Sequence, residues 1–405
     1  MKNRIFAAVA AMVLVFSMSA CGSKEEPAKE KSTEKTAATT TVVSLEEPET
    51  TTAAPEEKPA ETEAPAEDEE PTPEEEKAVS LEYWTEGSEV AKSLVEYVEA
   101  VTDPDSDKFI PEEERIVVSD LDGTLIGELY PTYFDHCIFV HRALYDDTYD
   151  APEDMKEFAR EVEKSLEETG KLPDNCETTH AKFAAEAYKG MTVDELKDYA
   201  KEYLKTEASG FENLTRGDAY YKPMKSLVDY LEANGFTFYV VSGTDRTLVR
   251  AICEEMFGIP ANHVIGTDTT MVAEGQGDTD GLDYMYRPDD EVVFGGEYIT
   301  KNLKMNKVAV IAQEIGMVPV LALGNSSGDL SMAEYVTLND KYEGRAYLLL
   351  CDDTEREYGK PETAEKLKTT CDELGFYTVS MRDDFATIYG EDVTLSDEGD
   401  KNEIQ

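Results

Sequence analysis

Short apolar runs alternate with amphipathic helical patterns from about Leu81 onward, and this alternation constrains the fold more than any other feature of the sequence. The apolar runs predict strands at residues 115–119, 236–241, 264–265, 318–323, 346–351 and 377–381. The helical patterns cover residues 88–101, 224–233, 248–257, 304–315 and 361–374. Strands and helices in alternation predict an α/β protein with a doubly wound, mostly parallel sheet that helices cover on both faces.

One long stretch interrupts the alternation after the first strand. Between about residues 129 and 217 the pattern is helical and charged, as in "APEDMKEFAREVEKSLEETG" and "TVDELKDYAKEYLKTE", and it contains no strand signal. The sequence therefore predicts a sheet domain made of residues 79–128 and 218–392, with residues 129–217 inserted as a helical cap.

The two ends of the chain differ in composition from the rest. Residues 1–20 have a basic start, an apolar run and small residues, which is typical of a secretory signal peptide. The following "SMSAC" pattern resembles a bacterial lipobox, so Cys21 is predicted to carry lipid as the first residue of the mature protein. Residues 21–78, rich in Glu, Pro and Thr, predict a disordered tether, and residues 393–405 predict an acidic tail. We therefore expect an exported protein that is lipid-anchored to the outer face of the bacterial cell membrane.

The formal net charge of −50 excludes some classes of partner. A protein this acidic repels polyanions, so nucleic acid is not an expected partner, and membrane contact is expected only through the lipid at Cys21. An anionic substrate would need a local cation. The other cysteines are scattered, which predicts buried thiols rather than a disulfide framework or a zinc site. These cysteines are Cys137, Cys176, Cys253, Cys351 and Cys371.

Polar residues cluster where the predicted strands end. Asp120 and Asp122 follow the first strand, "SGT" follows "FYVV", "GNSSGD" follows "VLAL", and Lys307 begins the helix before that last strand. The carboxyl ends of parallel strands meet at one edge of a sheet, where ligands collect. Two acids one residue apart need a positive partner, and a divalent cation accepts carboxylate oxygens, whereas a small turn that opens a helix offers donors to a phosphate. The four elements therefore predict one site for a cation and a phosphate.

Taken in order, "DLDGT", "SGT", Lys307 and "GNSSGD" resemble the motif series of the haloacid dehalogenase-like (HAD) superfamily of hydrolases, from about Trp84 to Gly390. The closer likeness is to its secreted phosphatases, with a helical cap as in phosphoserine phosphatases. It is also carried by "YKPMKSLVDYLEANGFTFYVVSGT" and "FGIPANHVIGT". The resemblance implies a Rossmann-like core and a Mg²⁺-dependent phosphomonoesterase that acts on a small phosphorylated metabolite. A monomer is favoured, although the sequence does not fix the oligomeric state.

The resemblance also implies a role for each motif residue. Asp120 would be the nucleophile that takes the phosphoryl group, and Asp122 would protonate the leaving alkoxide and then activate the attacking water. Dehalogenases of the superfamily lack the second acid, because a halide leaves without a proton, so Asp122 favours phosphoryl transfer. The implied phosphate-binding residues are Thr124, Ser242, Gly243, Thr244 and Lys307. The implied Mg²⁺ ligands are Asp120, Asp122, Asn325 and Asp329.

Asn325 stands where much of the superfamily has an aspartate. An amide oxygen is an acceptable Mg²⁺ ligand, so either Asn325 or Asp329 is the direct ligand from this loop. Two other functions stay open. One is a phosphomutase that reuses the aspartyl phosphate, and the other is a surface binding lipoprotein with a degenerate site.

The cap predicts a small substrate, because its closure has to exclude water. Glu128 and Tyr133 follow the catalytic turn and are candidates for substrate contact or for a structural role. The four histidines share no metal-ligand spacing and are expected to be helix-face or loop residues, although His136 and His141 lie in the cap segment closest to the site. The Gly- and Asp-rich stretch at residues 273–290 lacks the closing Glu of a calcium loop and predicts a hairpin flap near the site instead.

Overall fold

The computed structural model of the chain describes residues 80–127 and 131–396. The predicted signal peptide, Cys21 and the tether lie outside these residues, as do Glu128 and residues 397–405 of the predicted tail. Within the described part of the chain, every helix is too short or too polar to cross a membrane.

The sheet that organises the molecule has seven strands in the order β5-β4-β3-β1-β6-β7-β8. All neighbouring strands in it are parallel except β4 and β5, which are antiparallel. The mostly parallel α/β fold predicted from the sequence is therefore confirmed. In chain order the strands are β1 (Ile116–Ser119), β2 (Phe211–Glu212), β3 (Thr237–Asp245), β4 (Val264–Ala273), β5 (Val292–Thr300), β6 (Leu321–Gly324), β7 (Arg345–Leu350), β8 (Tyr377–Ser380) and β9 (Thr394–Leu395).

All helices after the first lie between strands, and five of them fall between β1 and β3. In chain order they are α1 (Glu89–Thr102), α2 (Phe134–Leu144), α3 (Glu153–Thr169), α4 (Cys176–Ala187), α5 (Val193–Leu204), α6 (Lys222–Ala233), α7 (Arg246–Phe257), α8 (Met305–Val310), α9 (Leu330–Thr337), α10 (Pro361–Leu374) and α11 (Met381–Asp384). A π-helical turn, Ile311–Ile315, continues α8 and completes the helix predicted at residues 304–315.

Successive side chains along a strand point to opposite faces of the sheet, and here both faces are buried. Val117 and Leu321 pack in one core with α1 and α6, whereas Val118 and Ala322 pack in a second core with α9 and α10. Continuous apolar strands are expected when helices cover both faces of a parallel sheet. This burial on both faces explains why the strands "IVVS" and "LALG" show no alternation of apolar and polar residues.

Helices α2 to α5 form the cap, and their apolar faces are continuous with the core that contains α1 and α6. The prediction that residues 129–217 contain no strand was wrong at one point. Phe211–Glu212 pairs antiparallel with Thr394–Leu395, which the sequence had placed in the acidic tail. A two-residue strand has no periodicity to detect, and its partner is more than 180 residues away, so local patterning could not reveal it.

The β4–β5 hairpin corrects the predicted strand at residues 264–265. β4 runs on to Ala273, and β5, which the sequence analysis missed, returns from Val292. Residues 274–291 connect the two strands, so the hairpin predicted for this stretch is confirmed. β5 was missed because most of its residues are only partly buried and do not form an apolar run.

The thiols are free, and four of the five described cysteines are buried as predicted, with Cys351 half-buried.

Candidate active site

The buried ammonium of Lys307 lies at the centre of the site. Its Nζ is 2.8 Å from Asp120 Oδ1 and 2.7 Å from Asp329 Oδ1. Asp120 follows β1, Asp329 follows β6, and Lys307 lies in α8, so the contact joins three segments that are distant in sequence. The Lys307 side chain is fully buried, and a charge in that position is stable only when opposite charges contact it.

Asp329 shapes the "GNSSGD" loop. Its Oδ2 accepts hydrogen bonds from the backbone N–H groups of Asn325 and Ser326, at 3.1 and 3.0 Å, and from the Ser326 hydroxyl at 3.1 Å. The carboxylate lies so close to Gly324 that a Cβ there would be 2.6 Å from the Cβ of Asp329, which explains the glycine. Protein donors therefore contact both oxygens of Asp329, and this carboxylate holds the loop that carries Asn325.

Asp122 lies on the turn that follows Asp120. Its Oδ2 accepts a hydrogen bond from Thr244 Oγ1 at 2.9 Å, and its Oδ1 is buried with no hydrogen-bond partner. The turn depends on Gly123, whose φ of 75° is in the left-handed region that glycine favours. The Gly123 N–H then donates to the Ile126 carbonyl at 2.8 Å, which fixes the turn and the direction of Asp122.

Burial pushes both catalytic candidates toward their neutral forms. Burial, and next the nearby Asp329, raise the pKa of Asp120 to about 7 against the opposing effect of Lys307. Burial likewise raises the pKa of Asp122 to about 6, while the Thr244 hydrogen bond opposes the shift. For Lys307, burial lowers the pKa, but Asp120 and Asp329 outweigh it and the net shift is upward. The site therefore contains more negative charge than Lys307 alone offsets.

A cleft of about 380 Å³ opens beside these residues. Its sheet side is lined by Asp120, Asp122, Gly243, Thr244 and Asn325, so the structure brings these five predicted residues together. The other predicted phosphate-binding residues are held behind the lining. The Thr124 hydroxyl donates to Asn325 Oδ1 at 3.4 Å, the Ser242 hydroxyl accepts from the Thr244 N–H at 3.1 Å, and Lys307 contacts Asp120.

The cap side of the cleft contains residues to which the sequence assigned no role. Asp135 and His136 from α2 and Glu177 from α4 line it, together with Tyr133, which had been predicted to contact substrate. None of the lining residues comes from the stretch at 273–290, so the hairpin connection does not reach the cleft.

Lys301, another lining residue, comes from the segment after β5. Its Nζ lies 3.6 Å from Asp135 Oδ2 and 3.5 Å from Glu177 Oε2, so it joins the sheet domain to two cap helices. The next residue, Asn302, donates from Nδ2 to the Ser242 carbonyl at 3.0 Å. No local pattern marks these residues, because β5 itself lacks the apolar run that predicts a strand.

The donor set fits a divalent cation. The carboxylates of Asp120 and Asp329 share one ammonium, and the Oδ1 atom of Asp122 is a buried acceptor without a partner. No group of three or more His, Cys, Asp or Glu side chains poised for a metal occurs among residues 80–127 and 131–396. Carboxylate, amide and backbone carbonyl oxygens, which Asp120, Asp122, Asn325 and Asp329 offer here, are ligands that Mg²⁺ accepts.

A family model described as haloacid dehalogenase-like hydrolase matches residues 117–334, which is more than half of the 405-residue chain. The match begins in β1 and ends in α9, so it contains all four motif segments. No curated protein matches the chain significantly.

Several solved structures are similar at low sequence identity. A conserved protein of unknown function from Anaerococcus prevotii DSM 20548 has 14% identity and a TM-score of 0.45, over 72% of this chain and 91% of that one. A cytosolic 5′-nucleotidase IIIB bound to cytidine has 13% identity and a TM-score of 0.39, over 72% and 85%. A phosphoserine phosphohydrolase-like protein from Francisella tularensis subsp. tularensis SCHU S4 has 14% identity and a TM-score of 0.35, over 65% and 94%. At these values the likenesses say nothing about the substrate.

Asp245, which caps α7 beside the cleft, gives a pH-dependent prediction. Its Oδ1 accepts from the N–H groups of Thr247 and Leu248, and burial, then Asp135, raise its pKa from 3.8 to about 6. Ionising Asp245 in the folded state therefore costs free energy above about pH 6, and the cost disappears as the pH falls toward 4. Replacing Asp245→Asn keeps a capping oxygen and removes the charge. We expect the variant to gain stability relative to the unaltered protein at pH 8, by up to about 3 kcal/mol, and to lose that advantage near pH 4.

Urea unfolding, followed by the fluorescence of Trp84, the chain's single tryptophan, measures this difference across the pH range. A stability difference that stays constant with pH would contradict the burial cost assigned to Asp245.

Proposed function

The chain belongs to the haloacid dehalogenase-like hydrolases, and from that membership we propose that it is a Mg²⁺-dependent phosphomonoesterase that acts on a small organic phosphate. One observation carries the proposal. Asp120 has its Oδ1 against the Lys307 ammonium and lines the same cleft as Asp122. A nucleophile and an acid in one cleft, with a fixed cation against the nucleophile, are groups that phosphoryl transfer uses.

In the first step Asp120 acts as the nucleophile. A carboxylate oxygen attacks the phosphorus atom, the bond between phosphorus and the leaving-group oxygen breaks, and an aspartyl phosphate forms. Asp122 gives its proton to the departing alkoxide, which leaves as an alcohol. The raised pKa of Asp122 suits this role, since part of the population retains a proton near neutral pH.

In the second step water attacks the phosphorus atom of the aspartyl phosphate. Asp122, now ionised, takes a proton from the water, and the bond between phosphorus and Asp120 breaks to release inorganic phosphate. Both carboxyl groups return to their starting states. Lys307 stabilises the charge of Asp120 in both steps, and the Gly243–Thr244 segment lies where the phosphoryl oxygens would be bound.

The Asp120 carboxylate, the Asp122 backbone carbonyl and the Asn325 amide oxygen would hold Mg²⁺, with Asp329 supporting the loop. When bound there, the ion supplies charge stabilisation for the phosphoryl oxygens.

We further propose that the protein is exported and anchored through lipid on Cys21. The support is the pattern of residues 1–21 and the tether composition of residues 21–78. Replacing Cys21→Ala should abolish incorporation of labelled palmitate and release the protein from the membrane fraction. Equal labelling of both proteins would contradict the anchor.

Phosphate release from an aryl phosphate and a panel of small phosphate esters tests the enzymatic proposal. We expect release by the full chain with Mg²⁺, loss of release with chelator, and recovery with excess Mg²⁺. Asp120→Asn should lower the rate at least about a thousandfold, because an amide cannot form the aspartyl phosphate. Asp289→Asn, at an exposed aspartate outside the cleft, is the matched control and should retain full activity.

Other outcomes identify the alternatives. Turnover that needs a bisphosphate activator and releases little phosphate would replace the phosphatase with a phosphomutase. Tight binding of esters without hydrolysis, in folded protein, would replace it with a binding lipoprotein.

A further inference from the structure

Two buried polar side chains of the cap face the cleft without hydrogen-bond partners. Asp135 and His136, the second and third residues of α2, are each 3% exposed and both line the cleft. Asp135 Oδ1 and both ring nitrogens of His136 have no hydrogen-bond partner in the protein. Buried polar atoms are nearly always hydrogen-bonded. Three such atoms without partners in a cleft of ligand size therefore indicate a ligand that supplies the hydrogen bonds.

His180 contacts Asp135 and His136 but gives no hydrogen bond to their unpartnered side-chain atoms. Its Nε2 lies 3.2 Å from the backbone carbonyl of Asp135, which can only accept, so Nε2 carries the proton and donates. The other nitrogen, Nδ1, is then a bare acceptor 3.7 Å from Asp135 Oδ2 and cannot donate to it. The His136 and His180 rings pack with centroids 4.3 Å apart, which fixes the His136 ring against the cap.

The charges around the group exclude an anionic ligand at this position. Burial lowers the pKa of both imidazoles, that of His180 to about 3, so both rings are neutral at physiological pH. The ammonium of Lys301 is offset by two carboxylates, Asp135 at 3.6 Å and Glu177 at 3.5 Å. A carboxylate on the leaving group would add a third negative charge beside the carboxylates of Asp135 and Glu177.

We propose that Asp135 and His136 form a leaving-group subsite that takes a neutral, hydroxyl-rich group, so that the substrates are phosphate esters of polyols or sugars. This inference rests on the phosphatase activity proposed above and names its substrate class.

A hydroxyl matches the two side chains better than an amine does. Each hydroxyl both donates and accepts, so one can donate to Asp135 Oδ1 while another accepts from the N–H of neutral His136. An ammonium group has no acceptor and leaves the His136 N–H unpaired. The cleft volume of about 380 Å³ is at the small end for ligand sites, which agrees with a phosphoryl group and a short polyol.

Two esters of equal carbon count, sorbitol phosphate and n-hexyl phosphate, isolate the contribution of the hydroxyl groups. We expect the full chain to show a kcat/KM at least about tenfold higher for sorbitol phosphate. His136→Phe keeps a ring and removes both nitrogens. It should lower kcat/KM for sorbitol phosphate about tenfold, mainly through KM, and change the value for n-hexyl phosphate less than about twofold.

The matched control is His263→Phe. His263 directly precedes β4, at the amino end of that strand, whereas the cleft lies at the carboxyl ends of the strands, so this substitution should affect neither ester. If His136→Phe does not fold, the isosteric variant Asp135→Asn is compared with the unaltered protein instead, again by kcat/KM for the two esters. An equal loss with both esters, or a wild-type preference for phosphoserine or phosphoethanolamine, would overturn the polyol subsite.

Calorimetric binding to Asp120→Asn separates this inference from the proposed function. If the unaltered protein hydrolyses no ester, the phosphatase is wrong. The subsite still stands if sorbitol phosphate binds more tightly than n-hexyl phosphate and His136→Phe removes the difference, and it falls if the two esters bind equally.

Discussion

The rest of the site depends on one buried ammonium, that of Lys307, held between the carboxylates of Asp120 and Asp329. Removing one partner from a buried ion pair typically costs about 3–5 kcal/mol, because the remaining charge is left without compensation. Here the loss would reach further than a single pair. Asp329 also organises the loop that carries Asn325, so the position of the candidate metal ligand depends on the same contact.

The two sides of the cleft differ in the charges they carry. On the sheet side, acids exceed the single lysine, which suits a cation and a phosphoryl group. On the cap side, Lys301 meets Asp135 and Glu177, and neutral histidines pack beside them. The strongly acidic chain therefore places its buried lysine, Lys307, on the sheet side, while the cap presents hydrogen-bonding groups with little net positive charge.

The sequence predicted the sheet and its motifs because both follow from local chemistry. Apolar runs such as "IVVS" predict buried strands, and polar residues at their ends must share an edge when the strands are parallel. Lys307 was predicted from its place at a helix start. The cap residues were not, because nothing in the pattern of α2 distinguishes Asp135 and His136 from other helix positions. Their neighbour Lys301 follows β5, whose partly exposed residues give no strand signal. Tertiary placement, rather than any local preference, makes these residues part of the cleft.

Trapping the aspartyl phosphate would show directly whether Asp120 becomes phosphorylated during turnover. Protein that is turning over a phosphate ester can be quenched with borohydride, which reduces an aspartyl phosphate to homoserine, and the peptide containing residues 119–127 can be examined by mass spectrometry. If Asp120 is the nucleophile, homoserine forms at position 120, and none forms when Mg²⁺ is chelated or ester is omitted. Phosphate release with position 120 unmodified, or homoserine at position 122 instead, would contradict phosphorylation of Asp120.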